Sequence, residues 1–475
     1  MNPGIFSKKN KFKSLKFRNI SFILAAFLIL AIFYFLPAPA GLSYSGKLMT
    51  GILIMAAILW ITEPIPLPAT GLLVMILQPL LSIRTPTEVF SSFGSNAIFF
   101  LIGAFIIAGA IEKHGLHRRI ALKFLSYFEK NPHSFTLGIM ISCAILTFIM
   151  PEHGVAALFL PIILSILISM KIIPKQSNFG KISMLSIAYG CSIGSLGTLI
   201  GGARNIFTID VIAKQIGKNI GFLEWMTYSM PIVIIAIPLV WLTLQIMFPI
   251  EIKDITVAKK EITKQVTKAG RISKTEITVL TILIITITLW ILFSSTTYYG
   301  LAVIAILGSI LLFITHSITW KDVENRVPWG IILLYGGAIT LGIGMQETGA
   351  GTWIANQIFT IAGINPYIII LILIFTTILL TNIMSNIGAV AILIPLALSI
   401  PPAAGITPLL ASLTIALTGG LAFMFVISTP GNAITYSSGY FTTKDLFKAG
   451  TLANIICILV VFTVATIYWI GVLHI

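Results

Sequence analysis

Apolar stretches of 17 to 25 residues recur along the whole chain, separated by short polar segments. Each is long enough to cross a hydrocarbon core roughly 30 Å thick. The pattern predicts spans at about 20–37, 46–62, 67–83 and 95–112, then at about 229–249, 277–295, 299–315, 328–346 and 451–473. Two longer stretches fit neither one span nor two. Phe135–Met170 has Met150-Pro151-Glu152-His153-Gly154 at its centre, and Pro366–Ile400 has Ser385-Asn386 near its middle. Both read as re-entrant helical hairpins, because non-helical backbone at membrane depth is tolerated only where protein or a water-filled cavity covers it. Two further spans are interrupted: 182–213 by glycines at 194, 197, 201 and 202, and 408–440 by Gly419-Gly420 and Thr429-Pro430-Gly431-Asn432. The fold class expected is an all-α polytopic membrane protein with about eleven transmembrane helices plus two re-entrant hairpins.

Composition agrees with that pattern. Mean hydropathy is +1.02, with 57% hydrophobic and only 9% charged residues, outside the range of soluble domains. Cys143, Cys191 and Cys457 are widely spaced inside apolar segments, which argues against a disulfide framework or a metal cluster.

The net charge of +15 raises nucleic acid as a partner until its distribution is considered. Of the 30 Lys and Arg, 25 fall in Met1–Asn19, Lys113–His133, Lys171–Lys181, Ile250–Glu276, His316–Val327 and Phe441–Gly450. The positive-inside rule places those six segments in the cytoplasm. It predicts a multi-pass inner (plasma) membrane protein with its N-terminus cytoplasmic and its C-terminus outside. No nucleic-acid partner is expected, and the longest polar stretch, Lys253–Lys274, reads as an orienting loop. The run Ile20–Leu36 followed by Ala38-Pro39-Ala40 imitates a signal peptide, but it exceeds the usual 7–15 residues and is expected to be retained.

An internal repeat organises the chain. Gly115 and Gly349 lie 234 residues apart, and the same offset relates Gly154 to Gly388 and Pro161 to Pro395. Gly201-Gly202-Ala203-Arg204-Asn205 corresponds to Ser428-Thr429-Pro430-Gly431-Asn432. The segments expected are a tail 1–19, scaffold helices 20–94, a first repeat 95–228 (hairpin 135–170, broken helix 182–213), middle helices with a basic loop at 229–327 (loop 250–276), and a second repeat 328–475 (hairpin 366–400, broken helix 408–440, last helix 451–473). An odd number of spans separates the halves, so they are inverted. Inverted repeats with interrupted helices meeting near the midplane are the architecture of secondary transporters. Half-helix N-termini suit an anionic substrate, while unwound carbonyls with Asn or Ser suit a small cation. A single membrane glycine reads as close helix packing; paired breaks at equivalent points read as a site.

Trp60-Ile61-Thr62-Glu63-Pro64-Ile65-Pro66-Leu67-Pro68-Ala69-Thr70 resembles the junction of the second and third helices in the divalent anion:sodium symporter family. Phe93-Gly94-Ser95-Asn96, Gly197-Thr198-Leu199-Ile200-Gly201, and Ser438-Gly439-Tyr440-Phe441 with Asp445 and Ala449-Gly450 are similar to that family at their own places. The resemblance implies a homodimer whose transport domain moves as an elevator, carrying dicarboxylates, citrate or sulfate, usually with sodium. It also implies that Ser-Asn-Thr tips and Thr-Pro-Pro-Asn-like turns hold substrate and sodium. Carried over by position, the substrate set is Glu152, His153, Gly154, Arg204, Asn205, Ser385, Asn386, Thr429, Pro430 and Asn432, and Ser385, Asn386 and Asn432 form a candidate sodium site. Sodium is the only cofactor implied, and the partners implied are a small anion, the bilayer and a second copy.

The chain departs from the family pattern in its first half. The tip reads Pro151-Glu152-His153 and the turn Gly202-Ala203-Arg204-Asn205. The second tip has Ile387 where the family carries threonine, and Asn382 stands where a glutamate is common. Intramembrane ionisable residues are functional candidates by default. Three readings stay open: Arg204, with His153, supplies the positive charge of a missing sodium, giving an exchanger or a partly sodium-coupled carrier; Glu152 and His153 relay protons; or Glu152 and Arg204 neutralise each other. The function expected is secondary transport of small, dicarboxylate-like anions. The alternatives are a sodium- or proton-coupled symporter of another anion, or a flippase for a lipid-linked anion on the same scaffold.

An enzyme is not expected, since no His-Glu-x-x-His, Gly-x-Ser-x-Gly or paired intramembrane aspartates occur. His114, His117 and His133 read as solvated interfacial residues, Trp60, Trp320 and Trp329 as interface anchors, and Glu63 as structural.

Overall fold

The structure is a computed structural model that describes residues 3–296, 298–359, 365–400 and 405–475, with side chains from residue 19 onward except 358 and 359. Among those residues helices joined by turns and loops are present, and no strand. A lipid environment offers the backbone no hydrogen-bond partners, and a helix satisfies it within the segment. Among the described residues, eight helices are long and apolar enough to cross a membrane. The spans expected at about 67–83 and 299–315 are shorter, Leu67–Leu80 and Leu301–Ile314, each of 14 residues. Helix starts follow from local chemistry. Capping boxes open Pro86–Phe90 (Thr85/Glu88), Lys274–Phe293 (Ser273/Glu276), Trp320–Arg326 (Thr319/Asp322) and Thr443–Thr463 (Thr442/Asp445).

Two compact units divide the chain. The first comprises Met1–Ser95, Pro328–Ile364 and Ala391–Pro408. In it Leu67–Leu80 packs against Trp329–Glu347 so closely that a Cβ on Gly337 would strike the backbone of Gly71. Arg84 reaches across with its Nε 2.7 Å from Glu347 and its Nη1 donating to Thr340 Oγ1 at 3.0 Å. Buried Lys47 donates to the carbonyls of Tyr34 and Leu36, capping the C-terminus of the first helix. The Trp353 indole donates to Ala40 O at 3.0 Å.

The second unit comprises Asn96–Val327, Asn365–Val390 and Leu409–Ile475. Pro132–Thr147 packs on Asn178–Gly194, Asn96–Lys113 on Leu301–Ile314, and Phe222–Met247 on Thr443–Thr463. Trp290 stacks on Phe222 and meets Phe100 at a tilt, with ring centroids at 5.4 and 5.3 Å.

Several expectations change. Trp60 is fully buried and so is no interface anchor, whereas Trp320 and Trp329 are exposed. One helix runs over Pro3–Phe35, so the segment 3–19 is continuous with the first expected span. The basic loop 250–276 contains an amphipathic helix, Thr256–Ala269, that buries Ile255, Ala258 and Ile262. Of the three histidines only His133 is exposed, and its Nδ1 lies 2.7 Å from Gln245 Oε1. His114 Nε2 lies 2.6 Å from Ser317 O, and burial holds the His117 imidazole below its ordinary pKa.

Candidate functional site

Two helix-turn-helix tips and two helix breaks make up the candidate site, and all four lie in the second unit. The first tip joins Pro132–Thr147 to Glu152–Ser169. Pro151 is suited to the start of a helix, where its missing N–H costs nothing. The tip hangs on the first break: Glu152 N donates to Gly201 O at 3.2 Å, and Thr198 Oγ1 donates to Phe148 O at 3.0 Å. That break runs over Ser195–Gly202, between Asn178–Gly194 and Ala203–Ile216. Side chains supply what the interrupted helix lacks. Trp225 Nε1 donates to Leu196 O at 2.9 Å and Ser229 Oγ to Gly197 O at 3.1 Å.

The second tip joins Pro366–Ile383 to Asn386–Leu398, with the Ser385 hydroxyl accepting from Gly388 N at 3.2 Å. The Thr381 hydroxyl lies 2.7 Å from Asn386 Oδ1 and 2.7 Å from Gly419 O, linking tip to break. The break runs over Gly419–Thr429, between Pro408–Thr418 and Pro430–Tyr436. Asn382 Oδ1 accepts from Met424 N at 2.8 Å, and Asn382 O accepts from Ser428 Oγ at 2.7 Å. Thr429 caps the following helix by accepting from Asn432 N at 3.0 Å.

One device is repeated in both halves. Asn205 Nδ2 donates to Ser195 O and Thr198 O, the carbonyls 10 and 7 residues before it, at 2.8 and 2.7 Å. Asn432 Nδ2 donates to Ala422 O and Phe425 O, again 10 and 7 residues before it, at 3.1 and 2.9 Å. Each asparagine thus closes the loop of its own break with the same register. In each, the carbonyl oxygen Oδ1 is buried without a hydrogen-bond partner among the described residues. Buried acceptors are ordinarily satisfied, so two equivalent exceptions mark positions open to a donor or a small hard cation.

The two ionisable side chains at the breaks, Glu152 and Arg204, both come from the first half of the chain. Arg204 is 2% exposed, its Nη2 donates to Ser195 Oγ at 2.7 Å, and its Nη1 lies 3.9 Å from Glu152 Oε1. The guanidinium is wedged between glycines of both breaks. A Cβ on Gly202 would come within 2.7 Å of Nη1, and one on Gly420 within 2.6 Å of Cζ. The other carboxylate oxygen of Glu152 is buried without a partner among the described residues. An aromatic contact joins the helix before the first break to the second break, with Tyr189 and Phe423 at 4.6 Å between centroids.

The geometry therefore groups Glu152, Arg204 and Asn205 around the first break, and Ser385, Asn386, Thr429 and Asn432 around the second. Arg204 joins the groups through Gly420. His153 and Gly154 sit half-buried on the first turn after the tip, while Pro430 is exposed on the opening turn of its helix. Sequence reasoning passed over Ser195, Gly420 and Thr381. Gly420 was visible as half of a glycine pair; nothing in the sequence singled out the other two.

The profile of the family described as the sodium:sulfate symporter transmembrane region matches residues 17–475. The chain belongs to this family. Among symporter-family relatives, a sodium-dependent dicarboxylate transporter SdcS of Staphylococcus saprophyticus is 29% identical over 483 residues, covering 97% of this chain and 93% of that protein. SdcS of Staphylococcus aureus NCTC 8325 is 30% identical over 484 residues, with the same coverage. Two solved structures share the fold at low identity. Neisseria gonorrhoeae MtrF matches with TM-score 0.57 at 12% identity over 96% of this chain and 94% of its own. The Alcanivorax borkumensis YdaH transporter matches with TM-score 0.54 at 11% identity over 96% and 98%.

Proposed function

We propose that this family member is a secondary transporter of small dicarboxylate-like anions in which Arg204 supplies, at the first break, the positive charge that a bound sodium would bring. The observation that carries the reading is the lodging of the Arg204 guanidinium between Gly202 and Gly420, 2% exposed and 2.7 Å from Ser195 Oγ. A fixed buried cation shared by two helix breaks attracts an anion without any ion having to bind first. The Glu152–Ser169 helix adds the partial positive charge of its N-terminus beside it. At the second break the groups are neutral oxygens and amides: Ser385, Asn386, the Thr429 hydroxyl and Asn432 Oδ1, a set suited to sodium. The dicarboxylate class is supported by the relatives' names, which also support sodium as a co-transported ion.

In this reading the two tips are re-entrant hairpins, the N-terminus is cytoplasmic, and the working assembly is a homodimer that moves substrate by an elevator motion. Exchange of internal for external anion is the expected mode, with sodium coupling retained only at the second break. A second reading has its own observation: Glu152 has one carboxylate oxygen without a hydrogen-bond partner among the described residues and stands 3.9 Å from Arg204, a placement that lets Glu152 with His153 pass a proton instead.

The test is uptake of labelled succinate, citrate and sulfate into proteoliposomes, with preloaded anion, a sodium gradient or a pH gradient imposed separately. Uptake driven by preloaded anion and only weakly raised by sodium supports the fixed-cation reading. Uptake driven by the pH gradient alone replaces it with the proton reading, and strict dependence on sodium removes both.

A further inference from the structure

The second unit carries two short amphipathic helices that the transport reading does not use, Leu116–Leu125 and Thr256–Ala269, packed side by side. Arg119 fastens them together. Its guanidinium donates to the carbonyls of Ala269, Gly270 and Arg271 at 2.9, 2.8 and 3.3 Å and pairs with Glu276 at 3.0 Å. Ser165 Oγ donates to Glu261 Oε1 at 3.1 Å, tying the second helix to the arm Glu152–Ser169.

The outward side of this platform is basic. Lys260, Lys264 and Lys268 stand at successive four-residue steps, so they form one row along the helix, and all three are exposed. Lys264 has one distant partner, Glu261 at 3.8 Å; the other two have no ion pair among the described residues. Exposed Val257 lies in the same row, and Lys123 stands on the neighbouring helix next to exposed Tyr127, its Nζ 5.4 Å from that ring's centroid.

Short tethers keep the platform at the ends of membrane-length helices. Four residues, Gly270–Ser273, separate Ala269 from Lys274, where the apolar helix Lys274–Phe293 begins. At full extension that link spans only about 18 Å. Two residues separate Leu116 from Lys113, the end of another membrane-length helix. Cations interleaved with apolar and aromatic side chains, held that near the hydrocarbon edge, are the pattern of a headgroup-level surface.

We infer that Lys260, Lys264 and Lys268, with Lys123, form a binding surface for anionic phospholipid headgroups of the inner leaflet. The partner is the lipid rather than a soluble phosphate, because Val257 and Tyr127 offer acyl-chain and interface contacts that a free anion does not use. The assignment rests on charge and tether length and stands apart from the substrate reading.

Full-length protein in mild detergent, given equimolar phosphatidylglycerol and phosphatidylcholine, is examined by native mass spectrometry for retained lipid. Wild type is expected to retain phosphatidylglycerol preferentially. The triple variant K260Q/K264Q/K268Q should lower that preference at least tenfold, since one lysine near a membrane surface is worth about fivefold. The triple arginine variant should keep it, and it controls for loss of the fold. Equal retention of both lipids by wild type, or an unchanged preference in the triple glutamine variant, overturns the inference. Full displacement of the retained lipid by an equal concentration of glycerol phosphate would assign the surface to a soluble anion instead.

Discussion

The two helix breaks are built alike and equipped differently. Both are closed by an asparagine reaching back 10 and 7 residues, and both leave that asparagine's carbonyl oxygen buried and open. Around the first stand Glu152 and Arg204; around the second stand Ser385, Asn386 and Thr429, with no ionised group among them. The backbone device tolerates either chemistry because it uses only carbonyls and one amide. The residues one position away are therefore free to set the charge. In Glu152 and Asn386 the same place in the repeat holds a carboxylate in one half and a carboxamide in the other.

The largest expected effect comes from Arg204→Ala. It should abolish anion uptake in proteoliposomes, a fall of at least a hundredfold, while the protein still inserts and purifies. It also leaves Glu152 buried without its counter-charge, a loss of about 3–5 kcal/mol in stability. Arg204→Ala with uptake intact would end the claim that the first half carries fixed charge. Next, Glu152→Gln should leave transport running and lower the apparent KM for succinate roughly tenfold, equivalent to about 1.4 kcal/mol, because the guanidinium then faces the substrate alone. An unchanged KM would mean that Glu152 does not offset Arg204.

The asparagine pair sharpens the comparison. Asn205→Ala and Asn432→Ala each remove two loop-closing hydrogen bonds and should cost about 2 kcal/mol each in thermal unfolding. Only Asn432→Ala should raise the sodium concentration needed for half-maximal uptake; if both do so, the halves are functionally alike. Gly420→Ala forces a methyl into the guanidinium and should cost about 1–3 kcal/mol through overpacking, with uptake falling in step.

The smallest effect lies away from both breaks. The hydrogen bond from Lys113, together with the Thr319 cap, holds the Asp322 carboxyl below the usual carboxylate range. A depressed carboxyl stabilises the fold above its ordinary value of about 3.9 and loses that contribution as pH falls toward the folded value. The difference in thermal stability between wild type and Asp322→Asn should hold from pH 7 to about pH 4 and shrink progressively as pH falls further.

Most of the helical order was legible because hydrophobic run length and turn residues carry it. The break at 194–202 was readable from its glycines. What resisted reading depends on direction. Trp60 looked like an interface tryptophan in a Pro-rich junction, yet it is buried, because composition does not say which way a helix faces. The helix Thr256–Ala269 was hidden by its lysines, whose apolar stripe is only Ala258, Ile262 and their neighbours. Within the site, Arg204 stood out as an ionisable residue at a break. Its placement against Gly420, 216 positions further on, is a tertiary fact with no local signature.

The hydrogen bond from the Trp353 indole to Ala40 O joins residues 313 positions apart. At a synthesis rate of about 5–20 residues per second, the loop after the first helix waits roughly 15–60 s on the ribosome for its partner to emerge. Lys47, only 13 and 11 positions beyond the carbonyls it caps, is made long before. The lysine is thus an early clasp on the end of that helix, and the indole a late seal on the loop that follows it.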